Sequence, residues 1–221
     1  STVSTLDPFG TNPGYRKQIF RWDPVTGMGT QVTSYEEGVE SVSVSGDGAW
    51  VAFVSNADLL GTNHDESPEL YVMQSNGSGL AQPTNADVLP FRGVTAAVLS
   101  GSANRIAFSG SIDPLGTNST YSNALFVIDR NGTNLRQLAT DVSTKFDISD
   151  DGSKVVYIKA GQLLGINANG TGNHTFSSAT SVIDAKISGN GAKVVYASGQ
   201  AFPQCNKKVR NFDGASAPVP R

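Results

Sequence analysis

The run from Ser41 to Thr84, SVSVSGDGAWVAFVSNADLLGTNHDESPELYVMQSNGSGLAQPT, decides the fold. It holds four short segments of β-type alternation separated by turn residues. Versions of it recur before and after. A unit of this size repeating as four strands predicts a β-propeller, with one four-stranded antiparallel blade per repeat. The expected organisation is one all-β domain over residues 1–221, with repeats at about 1–33 (partial), 40–84, 93–140, 143–178 and 182–221.

The repeats align on one strand: Val51-Ala52-Phe53, Ile106-Ala107-Phe108, Val155-Val156-Tyr157 and Val194-Val195-Tyr196, each ending in an aromatic ring. Ahead of it stand Asp47-Gly48, Ser102-Ala103, Asp151-Gly152 and Asn190-Gly191. Small polar residues followed by glycine suit a tight turn with positive φ, so the flanking strands are antiparallel neighbours. A D-x-x-G-T-N loop follows at Asp7–Asn12, Asp58–Asn63 and Asp113–Asn118, and then a third strand, QIFRWD, ELYVMQ or ALFVID. A glycine turn at Gly27, Gly77, Gly132, Gly170 or Gly214 leads to a short fourth strand, as in Thr30–Thr33 and Leu135–Thr140.

Two repeats depart from the pattern early. The fourth passes almost directly from second to third strand through residues 160–166, without the D-x-x-G-T-N insertion. In the first, aligning the loop sets Thr2 opposite Phe53, so the first strand and half of the second are missing. The last repeat is weakly patterned: Asn206–Asn211 carries Lys207, Lys208 and Arg210 where other blades have LYV or LFV, and Pro218 and Pro220 suit only an edge strand.

Composition agrees with many short strands and tight turns. The chain has 24 glycines and 10 prolines, with 38% hydrophobic and 16% charged residues. A net charge of −3 and no basic run longer than two residues exclude an electrostatic footprint for nucleic acid or anionic membrane. No apolar run approaches the roughly 18 residues that a spanning helix needs. The first residues are too polar for a signal peptide, as in a mature chain whose leader has been removed. Cys205 is alone, which excludes an intrachain disulfide and leaves an inert thiol or an intermolecular bridge.

The strings FVSNADLLGTN followed by ELYVMQSNGSG, and IAFSGSIDPLGTN followed by ALFVIDRNGTNLRQLAT, resemble PD40 repeats, the WD40-like and TolB-like class of propeller blade. SDDGSKVVY in the fourth repeat matches the first half of that pattern. The resemblance covers all but the end repeat. It implies a secreted, periplasmic or cell-surface bacterial protein, and such blades occur both in scaffolds and in the propeller domains of peptidases.

Candidate chemistry is sparse. Asp7, Asp58 and Asp113 could each offer a carboxylate to a cation, but one per loop is thin for calcium, and capping of loop amides is the favoured expectation. His64 and His174 are expected as surface-loop residues in no metal-ligand spacing, and no G-x-S-x-G elbow occurs. Trp22, Trp50, Tyr71 and Phe126 fit inter-blade packing better than a sugar site. The sequons at Asn76, Asn118, Asn131, Asn169 and Asn173 fall in expected loops.

The expectation is a non-catalytic, cofactor-free structural or protein-interaction module. Its closure or exchange contacts are Ser1, Thr2 and Val3 with Lys207, Lys208, Val209 and Arg210, and its partners are proteins, identical subunits included. The alternative is a carbohydrate-active or carbohydrate-binding propeller, with a glycan partner.

Overall fold

A computed structural model describes residues 2–4, 9–86, 92–177, 181–199 and 206–212, with the backbone alone for 2–4, 177 and 206–210. These residues form strands and turns without a helix. The first sheet is β1 (Thr2–Ser4), β2 (Gln18–Asp23) and β3 (Met28–Gln31). The second is β4 (Glu40–Val44), β5 (Trp50–Ser55) and β6 (Glu69–Gln74). The third holds β7 (Val94–Leu99), β8 (Arg105–Gly110), β9 (Ala124–Asp129) and β10 (Arg136–Ala139). The fourth holds β11 (Val142–Ile148), β12 (Lys154–Lys159), β13 (Gln162–Asn167) and β14 (His174–Ser177). The fifth holds β15 (Val182–Ile187), β16 (Lys193–Ser198) and β17 (Asn206–Asn211). Strands follow chain order in every sheet and pair antiparallel, the blade topology expected from the repeats.

Register confirms the alignment of the shortened first repeat. Thr2 pairs with Phe20, Val3 with Ile19 and Ser4 with Gln18, as Phe53 pairs with Tyr71, Val54 with Leu70 and Ser55 with Glu69. β1 therefore stands in the second-strand position. Two details differ from expectation. The fourth strand of the second sheet shrinks to a bridge between Val72 and Ala81, because Pro83 lacks the donor that would extend it. The basic segment Asn206–Asn211 does form a regular third strand, paired with β16 along all six residues.

The turns between first and second strands behave as their residues dictate. Gly48, Gly152 and Gly191 take positive φ, and Ala103 does the same at 57°. Asp47 and Asp151 accept hydrogen bonds from the Ser45 and Ser149 hydroxyls and from the Ala49 and Ser153 amides. Those bonds hold both carboxyls below the usual range, the serine hydroxyl contributing most. Adjacent turns are then stitched by backbone: Gly46 N donates to Gly101 O at 2.9 Å, Ser102 N to Asp150 O at 2.7 Å and Asp150 N to Gly189 O at 2.8 Å.

The core lies between blades. Ile19, Val51, Phe53, Tyr71 and Met73 join the first and second sheets; Ala52, Leu70, Phe108, Phe126 and Ile128 join the second and third. Ala107, Leu125, Val127, Val155 and Tyr157 join the third and fourth, and Val156, Leu163, Phe176, Val194 and Tyr196 join the fourth and fifth. Alternation along each strand sends one residue back to the preceding blade and the next forward to the following one. Side chains at the strand starts reinforce this: Arg105 Nη1 donates to Gly152 O at 3.0 Å, Lys154 Nζ to Gly191 O at 3.1 Å, and the Arg130 guanidinium covers Trp50 at 3.7 Å.

Phe108 is fully buried and stacks on Phe126 with centroids 5.2 Å apart. Truncation to alanine leaves a cavity that a rigid interface cannot close, so Phe108→Ala is expected to cost about 3–5 kcal/mol, read from urea denaturation.

Candidate functional site

The D-x-x-G-T-N loops are built around their own aspartates. Asp58 Oδ1 accepts the amides of Thr62 at 2.7 Å and Asn63 at 2.9 Å, and Asp113 Oδ1 those of Thr117 at 2.6 Å and Asn118 at 2.7 Å. The Asn63 amide leads the bonds that hold the Asp58 carboxyl below its ordinary range. The final asparagine turns inward: Asn63 Nδ2 donates to Asn56 O and Ser67 O, and Asn118 Nδ2 to Ile112 O and Ser122 O. Each threonine ties the loop to its blade's outer segment, Thr62 to Gln82 and Thr117 to Gln137. Asp7 lies outside the described residues. Among those described, no three His, Cys, Asp or Glu side chains converge as a metal site.

His64 is an exposed loop residue with Nδ1 3.4 Å from Asp58 Oδ2. His174, expected in a loop, instead begins β14 and meets Phe176 edge-on at 5.2 Å, because its backbone completes the fourth strand opposite Gly165. Of the sequon asparagines, Asn76, Asn131 and Asn169 each accept bonds from the residue two places on, forming Asx turns, whereas Asn118 is buried. Ser1 and Cys205 lie outside the described residues.

Sequence reading missed Glu69, a carboxylate with no accessible surface. It accepts from Ser67 Oγ at 3.1 Å, Ala86 N at 2.8 Å and the Thr84 hydroxyl. The first blade has glutamine at this position: Gln18 Oε1 accepts from Thr33 Oγ1 and Tyr35 N, and Nε2 donates to Tyr35 O. The signal was present in the alignment of QIFRWD with ELYVMQ. Burial pushes the Glu69 carboxyl up, against the pull of those hydrogen bonds.

The end faces differ from the interior ones. Phe20 and Trp22 stand at the positions of Tyr71 and Met73, which point back to a preceding blade. Met73 has no exposed surface and Ile128, its counterpart, has 1%, whereas Trp22 is 58% exposed and stacks on Phe9 at 6.3 Å. At the other end Val195 is 42% exposed, while its forward-pointing counterpart Val156 is fully buried. Lys193, at the position where Arg105 and Lys154 reach the next blade, bonds Asn211 of its own sheet at 3.2 Å. Of the other residues expected at the closure, Thr2, Val3, Lys207, Lys208, Val209 and Arg210 have their backbone in β1 or β17.

One open groove of about 550 Å³ lies between the third and fourth sheets. Blade three lines it with Gln137, Leu138, Ala139 and Thr140; blade four adds Tyr157, Lys159, Ala160, Gln162, Leu164 and Asn173. Tyr157 Oη donates to Asn173 Oδ1 at 3.3 Å, and Lys159 Nζ stands 3.7 Å from Asp141.

The fold is a TolB-like β-propeller fold. A crystal structure of TolB from Acinetobacter baumannii is similar at TM-score 0.59 and 21% identity, over 92% of this chain and 48% of that one. A structure assigned to TolB from Agrobacterium tumefaciens gives TM-score 0.62 and 15% identity, over 90% of this chain and 79% of that one. An oligogalacturonate lyase in complex with manganese gives TM-score 0.64 and 14% identity, over 90% of this chain and 58% of that one. The chain thus spans about half the length of the Acinetobacter protein. No family model and no curated protein sequence matches it.

Glu69 sets a pH dependence. A carboxyl raised in the folded state is neutral in both states at low pH, and its stability contribution is lost as pH rises through the folded pKa. Glu69→Gln, which reproduces the first blade's network, is therefore expected to leave Tm unchanged in acid. It should raise Tm at neutral pH by a few degrees, the scale of roughly 1 kcal/mol for a domain of this size.

Proposed function

We propose that this chain is a non-catalytic propeller module that binds protein through its terminal blades, a second copy of itself above all, in an envelope or extracellular setting. The observation that carries the reading is the pair of uncovered end faces. Trp22 on one and Val195 on the other occupy positions that are buried between every pair of interior blades. A forward face of one molecule set against the backward face of another would repeat an interface that the chain already makes between its own blades, so each face fits a propeller blade, and the supplier proposed is a second copy. The PD40 resemblance supports the envelope setting.

The loop carboxylates Asp58 and Asp113 are engaged by loop amides, which favours a structural role for them over a catalytic one. A carbohydrate-active or carbohydrate-binding propeller is the second reading, favoured by the fold shared with the lyase. Turnover of polyuronic acids that disappears in His64→Ala or His174→Ala would establish it.

The test of the first reading is solution mass by light scattering. The full chain should exceed its monomer mass of 23.1 kDa in a concentration-dependent way, and Trp22→Glu or Val195→Glu should each return it to monomer. A monomer at every concentration contradicts self-association.

A further inference from the structure

We propose that the groove between the third and fourth blades is a docking seat for a loop of a partner protein, one that carries an aliphatic residue beside an aspartate. In the second and third blades, the connection between second and third strands is long, and its aliphatic residues enter the interface with the preceding blade. Leu59 packs on the core between blades one and two, and Ile112 is a buried member of the core between blades two and three. The aspartate adjoining each, Asp58 or Asp113, then organises the loop that covers the interface. Blade four replaces this connection with the tight turn Lys159-Ala160-Gly161-Gln162, in which Ala160 and Gly161 both take positive φ. The interface between blades three and four is therefore built without its covering loop, and the groove of about 550 Å³ lies at that interface.

The lining fits such a loop. Leu138, Ala139 and Leu164 are partly buried residues at the margin of the core between blades three and four, an apolar floor of the kind that receives Ile112 one blade earlier. Gln162 and Asn173 offer amides to an extended backbone, and Lys159, whose 3.7 Å pair with Asp141 is exposed and so weakly held, can be shared with an acidic side chain of the occupant. The third-strand aromatic of blade two, Tyr71, donates its hydroxyl to the loop carbonyl of Ala57 at 2.7 Å. Blade four has Leu164 at that position, paired with Tyr157, so the space taken by a ring in blade two is left to the groove. The groove offers a pyranose no aromatic face to stack on, since Tyr157 is only 2% exposed. The chain's own D-x-x-G-T-N loops at Asp58 and Asp113 are already seated in their blades, so the occupant proposed is a loop of a partner.

The test uses the isotope-labelled full chain and the end-capped peptide SIDPLGTN, the sequence of Ser111–Asn118. Titration to millimolar peptide should shift the amides of Leu138, Ala139, Gln162 and Leu164 saturably. Replacing the peptide's isoleucine by serine should remove the shifts. Replacing its aspartate by asparagine, or Lys159 by glutamate in the protein, should weaken binding severalfold at low salt. A variant with residues 111–123 grafted in place of Ala160-Gly161 fills the seat from its own chain and should no longer respond. No shift at these amides overturns the proposal, as does a shift by galacturonate or neutral oligosaccharides with none by the peptide. Trp22→Glu leaves this binding intact whatever it does to solution mass, so the groove and the end faces stand or fall separately.

Discussion

The second, third and fourth blades of this protein are apolar on both faces, and that double-sidedness governs everything else. A sheet with one wet face could stand alone on a single core; a sheet whose strands alternate between two dry faces must have a neighbour on each side. Stability is therefore held between blades, where the ring pairs Phe53–Tyr71 and Phe108–Phe126, each stacked within its own sheet, pack against residues of the preceding blade. The polar features follow from the same need. Arg105 and Lys154 reach across to carbonyls of the next turn, and Ser43 Oγ and Asp147 Oδ2, at one repeat position, accept the amides of Leu99 and Ile187 in the blade that follows. Asp147 is held above its usual range by burial, so this contact is made by a group that the interface itself perturbs.

The groove, the exposed end faces and the buried carboxylate all lie where a blade departs from the pattern, and each departure has a local cause. The short turn of blade four opens a groove by omission. The first and fifth sheets carry interior residues on exterior faces. Glu69 exchanges a neutral amide for a buried carboxylate, and its demand on the Ser67 hydroxyl leaves Asn63 Oδ1 without the bond that Asn118 Oδ1 receives from Ser122.

The fold was legible because turn chemistry and strand alternation repeat in step. The strongest instance is the alignment of Thr2 with Phe53, drawn from loop spacing and recovered as backbone register. The Asp58 and Asp113 loops were also legible, since aspartate followed by glycine, threonine and asparagine carries its own hydrogen-bonding plan. What escaped depends on neighbours. β17 forms despite its basic residues because β16 offers a full partner edge, and local pattern contains no measure of that edge. Trp22 reads as an inter-blade residue and holds the register position of one, yet it is exposed, because exposure depends on what stands opposite. The short fourth-blade turn was visible as a length difference; the groove it opens is a volume between two segments far apart in sequence.

The central claim is that blades are stable in proportion to the faces they have covered. Native-state amide hydrogen exchange measures it directly, because protection reports the free energy of local opening strand by strand. The account predicts the greatest protection in β8, β9 and β12, whose sheets are packed on both sides, with faster exchange in β2 and β16 of the end sheets. Equal protection across all five sheets would contradict it.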